Sequence, residues 1–148
     1  MDVLAPIGRL LFSAIFITSG LNHFLHLQAM TGYAQSSGLP MPQLAVLASG
    51  VVLVVGGVCV LLGSFARLGA ALIALFLLTS AFTMHRFWDL ADAQLVQQQQ
   101  VHFMKNLSMA GGALLLVYFG PGAFSLRRKK AEGRRTSFGV PLRHRIQE

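Results

Sequence analysis

An uninterrupted apolar segment from Leu44 to Leu62, without one charged side chain, most constrains what this chain can form. Three further apolar runs lie at about residues 5–25, 68–85 and 101–119. A helix needs about 20 apolar residues to cross a bilayer core. All four runs are apolar around the whole helical circumference, unlike the amphipathic helices of soluble domains. They predict an all-α membrane protein with four transmembrane helices in an antiparallel bundle.

The composition supports a membrane protein and argues against binding to nucleic acid. The chain is 54% hydrophobic and 11% charged, whereas soluble domains carry about 25% charged residues. The alternating polarity of β-barrel strands is absent from the sequence. The net charge is +7, but eight of the twelve Lys and Arg residues follow Ser125. Because this charge is confined to one terminal segment, we expect no nucleic-acid partner.

The distribution of basic residues also predicts domain layout and orientation. Residues 1–126 are expected to form the transmembrane domain, and residues 127–148 a disordered basic tail. Anionic lipid headgroups attract such a tail by about 1 kcal/mol per basic residue. Four spans place both termini on one side of the bilayer, together with most basic residues. The positive-inside rule therefore predicts cytoplasmic termini and external loops at 26–43 and 86–100.

Two of the connections between spans carry structural signals. In the first, Leu27, Met30 and Tyr33 recur at helical spacing, which predicts a short interfacial helix. Gly38 is placed to end that helix. In the second, we expect a polar loop that ends in the glutamine run 97–100.

Polar and aromatic side chains converge at the predicted outer end of the bundle. Ionisable groups at membrane depth rarely face lipid, because an unpaired charge there is costly. The first, third and fourth spans all bring such groups to this end. We therefore predict one shared polar binding site, lined in addition by Phe87, Phe103 and the region of Leu53. Its candidate residues are His23, His85, Trp88, Asp89, His102, Lys105 and Asn106.

Each candidate also has a simpler explanation. Trp88 is typical of an interfacial aromatic belt. Lys105 is placed to extend its ammonium group toward lipid headgroups. Arg86 and Asp89 suit a surface ion pair of little energetic value. The histidines lack HxH, HExxH or CxxCH spacing, so we expect no metal site.

Small residues predict which helix faces lie inside the bundle, because they let helix backbones approach closely in lipid. The third span carries Ala70 and Ala74, the second carries the pair 56–57, and the fourth carries Ser108 and Gly112 beside Gly111. We expect these faces to be buried. The same faces could pair two protomers, which leaves a homodimer open.

Seven short segments, in order and with matching spacing, resemble the DoxX family of small bacterial membrane proteins across about residues 7–127. The resemblance implies a bacterial plasma-membrane protein with four spans and a loose redox association. Some family members are subunits of a thiosulfate:quinone oxidoreductase, others are linked to thiol or oxidative-stress handling, and distant relatives resemble assembly factors. The segments are GRLL (8–11), SGLNH (19–23), GLPMP (38–42), LLGSFAR (61–67), HRFWD (85–89), FMKNL (103–107) and GPGAFSL (120–126).

The chain departs from the family pattern at two positions. His23 stands where the family usually has lysine, which keeps a titratable, hydrogen-bonding group. Leu53 stands where the family often has glutamate. A carboxylate in mid-membrane is a group that proton chemistry would use. Its absence argues against a proton-coupled mechanism at that position.

Two functions follow from these observations, and the sequence does not decide whether the protein is an enzyme. The first is a quinone-linked redox subunit, in which His85 or His102, with Lys105 and Asn106, donates to quinone oxygens, and Trp88 or Phe87 stacks on the ring. No cofactor is encoded by a motif, so a quinone is the one cofactor expected, and a membrane or soluble redox partner protein would supply electrons. The second is a non-enzymatic membrane scaffold or assembly factor for a partner protein.

Overall fold

The computed structural model describes residues 2–126, which are helical and contain no strand. The helices are α1 (Leu4–Leu25), α2 (Leu27–Ser36), α3 (Pro42–Leu62), α4 (Ala66–Met84) and α5 (Ala93–Phe119), with a 3-10 turn at Phe87–Asp89. Within the described residues, α1, α3 and the segment Ala66–Asp89 are long and apolar enough to cross a membrane. The predicted basic tail, residues 127–148, lies outside the described part of the chain.

The four long helices pack in the order α1, α3, α4, α5. Contacts between neighbours run in opposite sequence order, so adjacent long helices are antiparallel: on α1 and α3, for example, Gly20 approaches Gly50 while Arg9 approaches Gly63. The chain thus forms an antiparallel helical bundle. The buried apolar core joins all four helices and consists of Phe16, Leu53, Val60, Ala70, Ile73, Ala74, Leu77, Ala110 and Ala113.

Glycines allow the helices to approach closely. A Cβ atom on Gly20 of α1 would lie 2.9 Å from the Gly50 carbonyl oxygen of α3, and one on Gly69 of α4 would lie 2.7 Å from the Gly56 oxygen. Both distances are too short for a real side chain, so these contacts require glycine. The predicted inward faces at 56–57 and at Ala70 and Ala74 are confirmed, since these residues are buried.

The predicted inward face of α5 is wrong. Ser108 and Gly111 are exposed, and a Cβ on Gly112 would only touch the Phe12 ring at 3.5 Å. The buried residues of α5 are instead Asn106, Ala110 and Ala113, whose spacings of four and three place them on one helical face. Small residues lie on two faces of α5, and the face that packs against α4 is the one that contains Asn106.

Helix α5 begins earlier than the sequence predicted. The carboxylate of Asp92 accepts a hydrogen bond from the Leu95 backbone N–H at 2.9 Å and caps the helix. The glutamine run 97–100 is therefore helical, and the predicted polar loop there is wrong; glutamine is a good helix former. The early start places Gln99 on α5, close to His85. The predicted short helix between the first two spans, by contrast, is confirmed as α2, with Gly38 after its end at φ +76°; its interfacial location stays a prediction.

One end of the bundle, where α1 and α4 begin and α3 and α5 finish, is closed around Arg9; we call it the arginine end. Arg9 is 4% exposed, and its Nη2 donates to the Phe124 carbonyl oxygen at 3.1 Å. Its Nε and Nη1, and the Oγ of buried Ser13, have no hydrogen-bond partner among the described residues. Gly63, at φ +69°, is so near that a Cβ there would collide with Arg9 and Ser125. The guanidinium group is thus buried inside the protein.

Candidate functional site

The opposite end of the bundle, which we call the cavity end, contains a cavity of about 250 Å³ between α1, α2, α3 and α4. This volume is just below the range of about 300–1,000 Å³ that is usual for ligand pockets, so it suits a molecule of about one ring. The wall is mostly apolar, with a few hydrogen-bonding side chains. It is formed by His23, Met30, Tyr33, Ala34, Leu39, Ala45, Val46, Ser49, Phe76, Thr79, Ser80, Thr83, Met84 and His85.

His23 enters the cavity wall from the last turn of α1. Its Nδ1 lies 2.9 Å from the Ser49 Oγ and 3.3 Å from the Val46 carbonyl oxygen, both on α3. Its ring also makes an edge contact with Phe76 of α4, with 6.4 Å between ring centroids. Gly50 permits this approach, since a Cβ there would lie 3.1 Å from the His23 Cβ. The imidazole is therefore held in place by two neighbouring helices.

His85 closes α4 at the other side of the cavity. Its Nδ1 lies 2.7 Å from the Gln99 Oε1, and its ring stacks on His102 with 5.2 Å between centroids and 20° between planes. Both partners belong to α5. Gln99 and His102, both on α5, thus orient the His85 imidazole at the end of α4.

A hydrogen bond also links α2 to α4 across the cavity. The Tyr33 hydroxyl donates to the Met84 carbonyl oxygen at 3.4 Å. Tyr33, Thr83 and Met84 also line a second, more polar cleft of about 210 Å³, which includes Arg86 and Gln99. The cavity and this cleft therefore share one wall, formed by the Tyr33 contact.

Of the seven predicted site residues, His23 and His85 line the cavity. Asn106 and His102 lie behind its wall: Asn106 is buried, with its Nδ2 3.4 Å from the Ser80 Oγ, and His102 stacks on His85. The structure thus joins groups from the first, third and fourth predicted spans, but only two of them touch the cavity. Their predicted role in binding stays a prediction.

The other predicted residues lie elsewhere. Trp88 packs with Phe82, Phe87 and Phe103 in an aromatic cluster whose ring centroids are 5.1–6.5 Å apart, and it does not line the cavity. Asp89 pairs with Arg86 at 3.5 Å, as the simpler explanation for these two residues expected. Lys105 is exposed.

Leu53, which was expected near the site, belongs to the apolar core at 1% exposure. The sequence predicted one pocket at the outer end of the bundle that all of these residues line; of the predicted site residues, the cavity contains His23 and His85. The cavity lies instead between α4 and the helices α1, α2 and α3, where α2 packs mainly on α3 and reaches α4 through the Tyr33–Met84 hydrogen bond.

Sequence reasoning missed the residues that α2, α3 and the middle of α4 contribute. Thr79, Ser80 and Thr83 lie near one another on α4, and their polarity within an apolar span was an available signal. Tyr33 was noticed for its helical spacing alone. Ser49 carried no signal of its own, since a lone serine in a transmembrane helix commonly bonds to its own backbone.

The helices and the cavity define a class: a small multi-pass helical membrane protein with a polar-edged cavity near one membrane surface. Comparison with known proteins supplies the family. The DoxX family model matches residues 4–86, more than half of the chain. The chain therefore belongs to the DoxX family, and it is a multi-pass protein of the bacterial inner membrane.

Two relatives from Escherichia coli K12 extend the similarity beyond the matched region. Inner membrane protein YphA is 38% identical over 128 residues, which cover 86% of this chain and 90% of YphA. Inner membrane protein YqjF is 33% identical over 130 residues, covering 86% of this chain and 92% of YqjF. No solved structure matches the chain at a significant level.

Proposed function

We propose that the cavity binds the ring of a quinone or hydroquinone, and that the protein is a quinone-linked redox subunit of the inner membrane. The observation that carries this proposal is that two imidazoles from different parts of the chain, His23 and His85, line one small and mostly apolar cavity. A flat apolar ring with oxygen atoms at its edges matches such a wall. Few polar groups then suffice to orient the ligand.

The location of the cavity supports a membrane-soluble ligand. Four helices enclose it, and those that supply its imidazoles and most of its wall are α1, α3 and α4, the candidate membrane spans. A ring could occupy the cavity while an apolar tail stays in lipid. The sequence contains no dithiol pair, haem motif or dinucleotide fingerprint. Electrons would therefore pass between the ligand and a partner redox protein.

Ligand binding by the purified protein in lipid nanodiscs tests the proposal. Duroquinone, the fully methylated para-benzoquinone, and its hydroquinone are the probes. We expect His23→Leu and His85→Leu each to weaken binding by at least about tenfold, since each removes a hydrogen-bonding group from the wall. His26→Leu is the matched control, because His26 is exposed and lies outside the wall. If neither duroquinone nor its hydroquinone binds, the proposal is contradicted.

The alternative function, a scaffold or assembly factor, is supported by the aromatic cluster beside α4 and α5. Phe82 and Trp88 are 54% and 51% exposed, yet they contact Phe103. A partner's membrane segment could dock there. Under the scaffold function, Trp88→Ala should release a co-purifying partner and leave ring binding unchanged. Under the redox function, His85→Leu should weaken ring binding and leave any partner bound.

We also propose that α5 is a fourth span and that both termini are cytoplasmic. Its length of 27 residues and its packing along α4 support this, and the basic residues that follow Ser125 would then lie beside anionic headgroups of the inner leaflet. A reporter that is active only in the cytoplasm, fused after Glu148, should be active. Activity of a periplasm-only reporter at the same position would exclude this topology.

A further inference from the structure

We infer that the cavity selects the hydroquinone over the quinone, because the wall presents acceptors of hydrogen bonds and commits most of its donors to the protein itself. The inference rests on the proposed function for the class of ligand. It concerns binding selectivity between two forms of one molecule. It follows from which ring nitrogen of each histidine carries the proton.

We assign the proton of His23 to Nδ1, because this tautomer satisfies all the contacts of that nitrogen. The Val46 carbonyl oxygen, 3.3 Å from Nδ1, can only accept a hydrogen bond. The Ser49 hydroxyl has one hydrogen, and it donates this hydrogen to the same carbonyl at 2.9 Å. The Ser49 Oγ, 2.9 Å from Nδ1, therefore acts as an acceptor. In the neutral imidazole Nε2 is then a bare acceptor, and no described residue bonds to it.

His85 also faces an acceptor with its Nδ1 atom. Its Nδ1 lies 2.7 Å from the Gln99 Oε1, a carbonyl-type oxygen that only accepts. With the Gln99 amide in this orientation, the proton is assigned to Nδ1, and Nε2 of this ring is again an acceptor without a partner among the described residues. Two imidazoles from different helices thus offer a ligand the same chemistry.

Three hydroxyl groups in the wall have also committed their hydrogens. Ser49 donates to Val46, Tyr33 to Met84 at 3.4 Å, and Thr83 to the Thr79 carbonyl at 2.8 Å. Their oxygens can still accept. The two remaining hydroxyls in the wall, those of Thr79 and Ser80, can donate or accept, and the Ser80 Oγ already accepts from Asn106.

A hydroquinone has two hydroxyl hydrogens to donate, whereas a quinone has only acceptor oxygens. Quinone oxygens beside the bare Nε2 atoms would leave buried acceptors facing each other, which is unfavourable. We expect the hydroquinone to bind at least about tenfold more tightly. By linkage, a tenfold preference raises the midpoint potential of a bound two-electron couple by about 30 mV.

The decisive experiment compares three probes on the intact protein in nanodiscs under anaerobic conditions: durohydroquinone, duroquinone and the dimethyl ether of durohydroquinone. Full ring substitution prevents addition of the Cys59 thiol. The ether keeps the ring and the oxygens but cannot donate. Wild-type protein should bind durohydroquinone at least tenfold more tightly than either of the others.

The variant His23→Lys sharpens the test, because lysine donates hydrogen bonds and cannot accept them when charged. It should lose most of the preference for hydroquinone, whereas His26→Lys, outside the wall, should keep it. If His23→Lys fails to fold, nitrogen NMR of ring-labelled wild-type protein supplies the answer, since the two ring nitrogens differ in shift when one carries the proton.

The outcomes separate the inference from the proposed function. Binding of none of the probes would overturn both. Equal or tighter binding of duroquinone, or equal binding of the ether, would overturn the selectivity and leave a quinone site in place. Protons found on Nε2 of His23 and His85 would overturn the inference by themselves.

Discussion

The cavity end and the arginine end of the bundle treat their buried polar groups in opposite ways. At the cavity end the histidines and most hydroxyls have a protein partner, and unfilled space lies beside them. At the arginine end Arg9 is almost fully buried, with two nitrogens unpaired and the Gly63 turn pressed against it. The cavity end thus keeps an open space bordered by paired polar groups, whereas the arginine end is tightly packed around a buried charge.

The largest effect is expected at the arginine end, from Gly63→Ala. Its φ of +69° strains any L-residue, and the new Cβ would collide with Arg9 and with the Ser125 backbone. We expect a loss of roughly 2–4 kcal/mol in the free energy of unfolding, measured by thermal unfolding in detergent. Gly111→Ala is the control, since a Cβ there meets nothing within 4 Å. A tolerated Gly63→Ala would show that this end is not tightly closed.

A second prediction concerns the α1–α3 contact between the two ends. Gly20→Ala places a Cβ 2.9 Å from both the Gly50 oxygen and the Val54 nitrogen, which cannot move without shifting a helix. We expect a cost of about 1–3 kcal/mol in unfolding free energy. Gly8→Ala, on the same helix with nothing within 4 Å, should be neutral or slightly stabilising. Equal stability of the two variants would argue against this close approach.

A third prediction fills the cavity. Ala45→Leu adds three carbon atoms to the wall and should reduce hydroquinone affinity at least about tenfold, or about 1.4 kcal/mol, with little change in thermal stability. Ala48→Leu changes an exposed position of the same helix and should leave affinity unaltered. Unchanged affinity in Ala45→Leu would place the ligand outside this cavity.

The smallest effect is expected for Asp89→Asn, which breaks the pair with Arg86. Both side chains are about half exposed, at 51% and 54%, so solvent screens their attraction. The change in unfolding free energy should stay below about 1 kcal/mol. A larger loss in thermal melts would mean that the polar cleft beside the cavity contributes to the stability of this end.

The sequence alone predicted the helical membrane class, the family, a short helix at α2 and the end of α5 before Gly120. These features depend on local signals: hydropathy over about 20 residues, helical spacing, and glycine or proline at helix ends. It also selected His23 and His85, because ionisable groups in apolar spans are costly and rarely face lipid.

Only the tertiary structure decided which of the candidate groups meet. Whether His85 shares a space with His23 or with Lys105 depends on how α1, α2, α3 and α4 pack around the cavity, which no local pattern encodes. The buried face of α5 was likewise decided by packing, since Ala110 and Gly111 are both small and only one faces α4. The proton positions on the histidines depend on Val46, Ser49 and Gln99, residues distant in sequence that the fold brings within hydrogen-bonding distance.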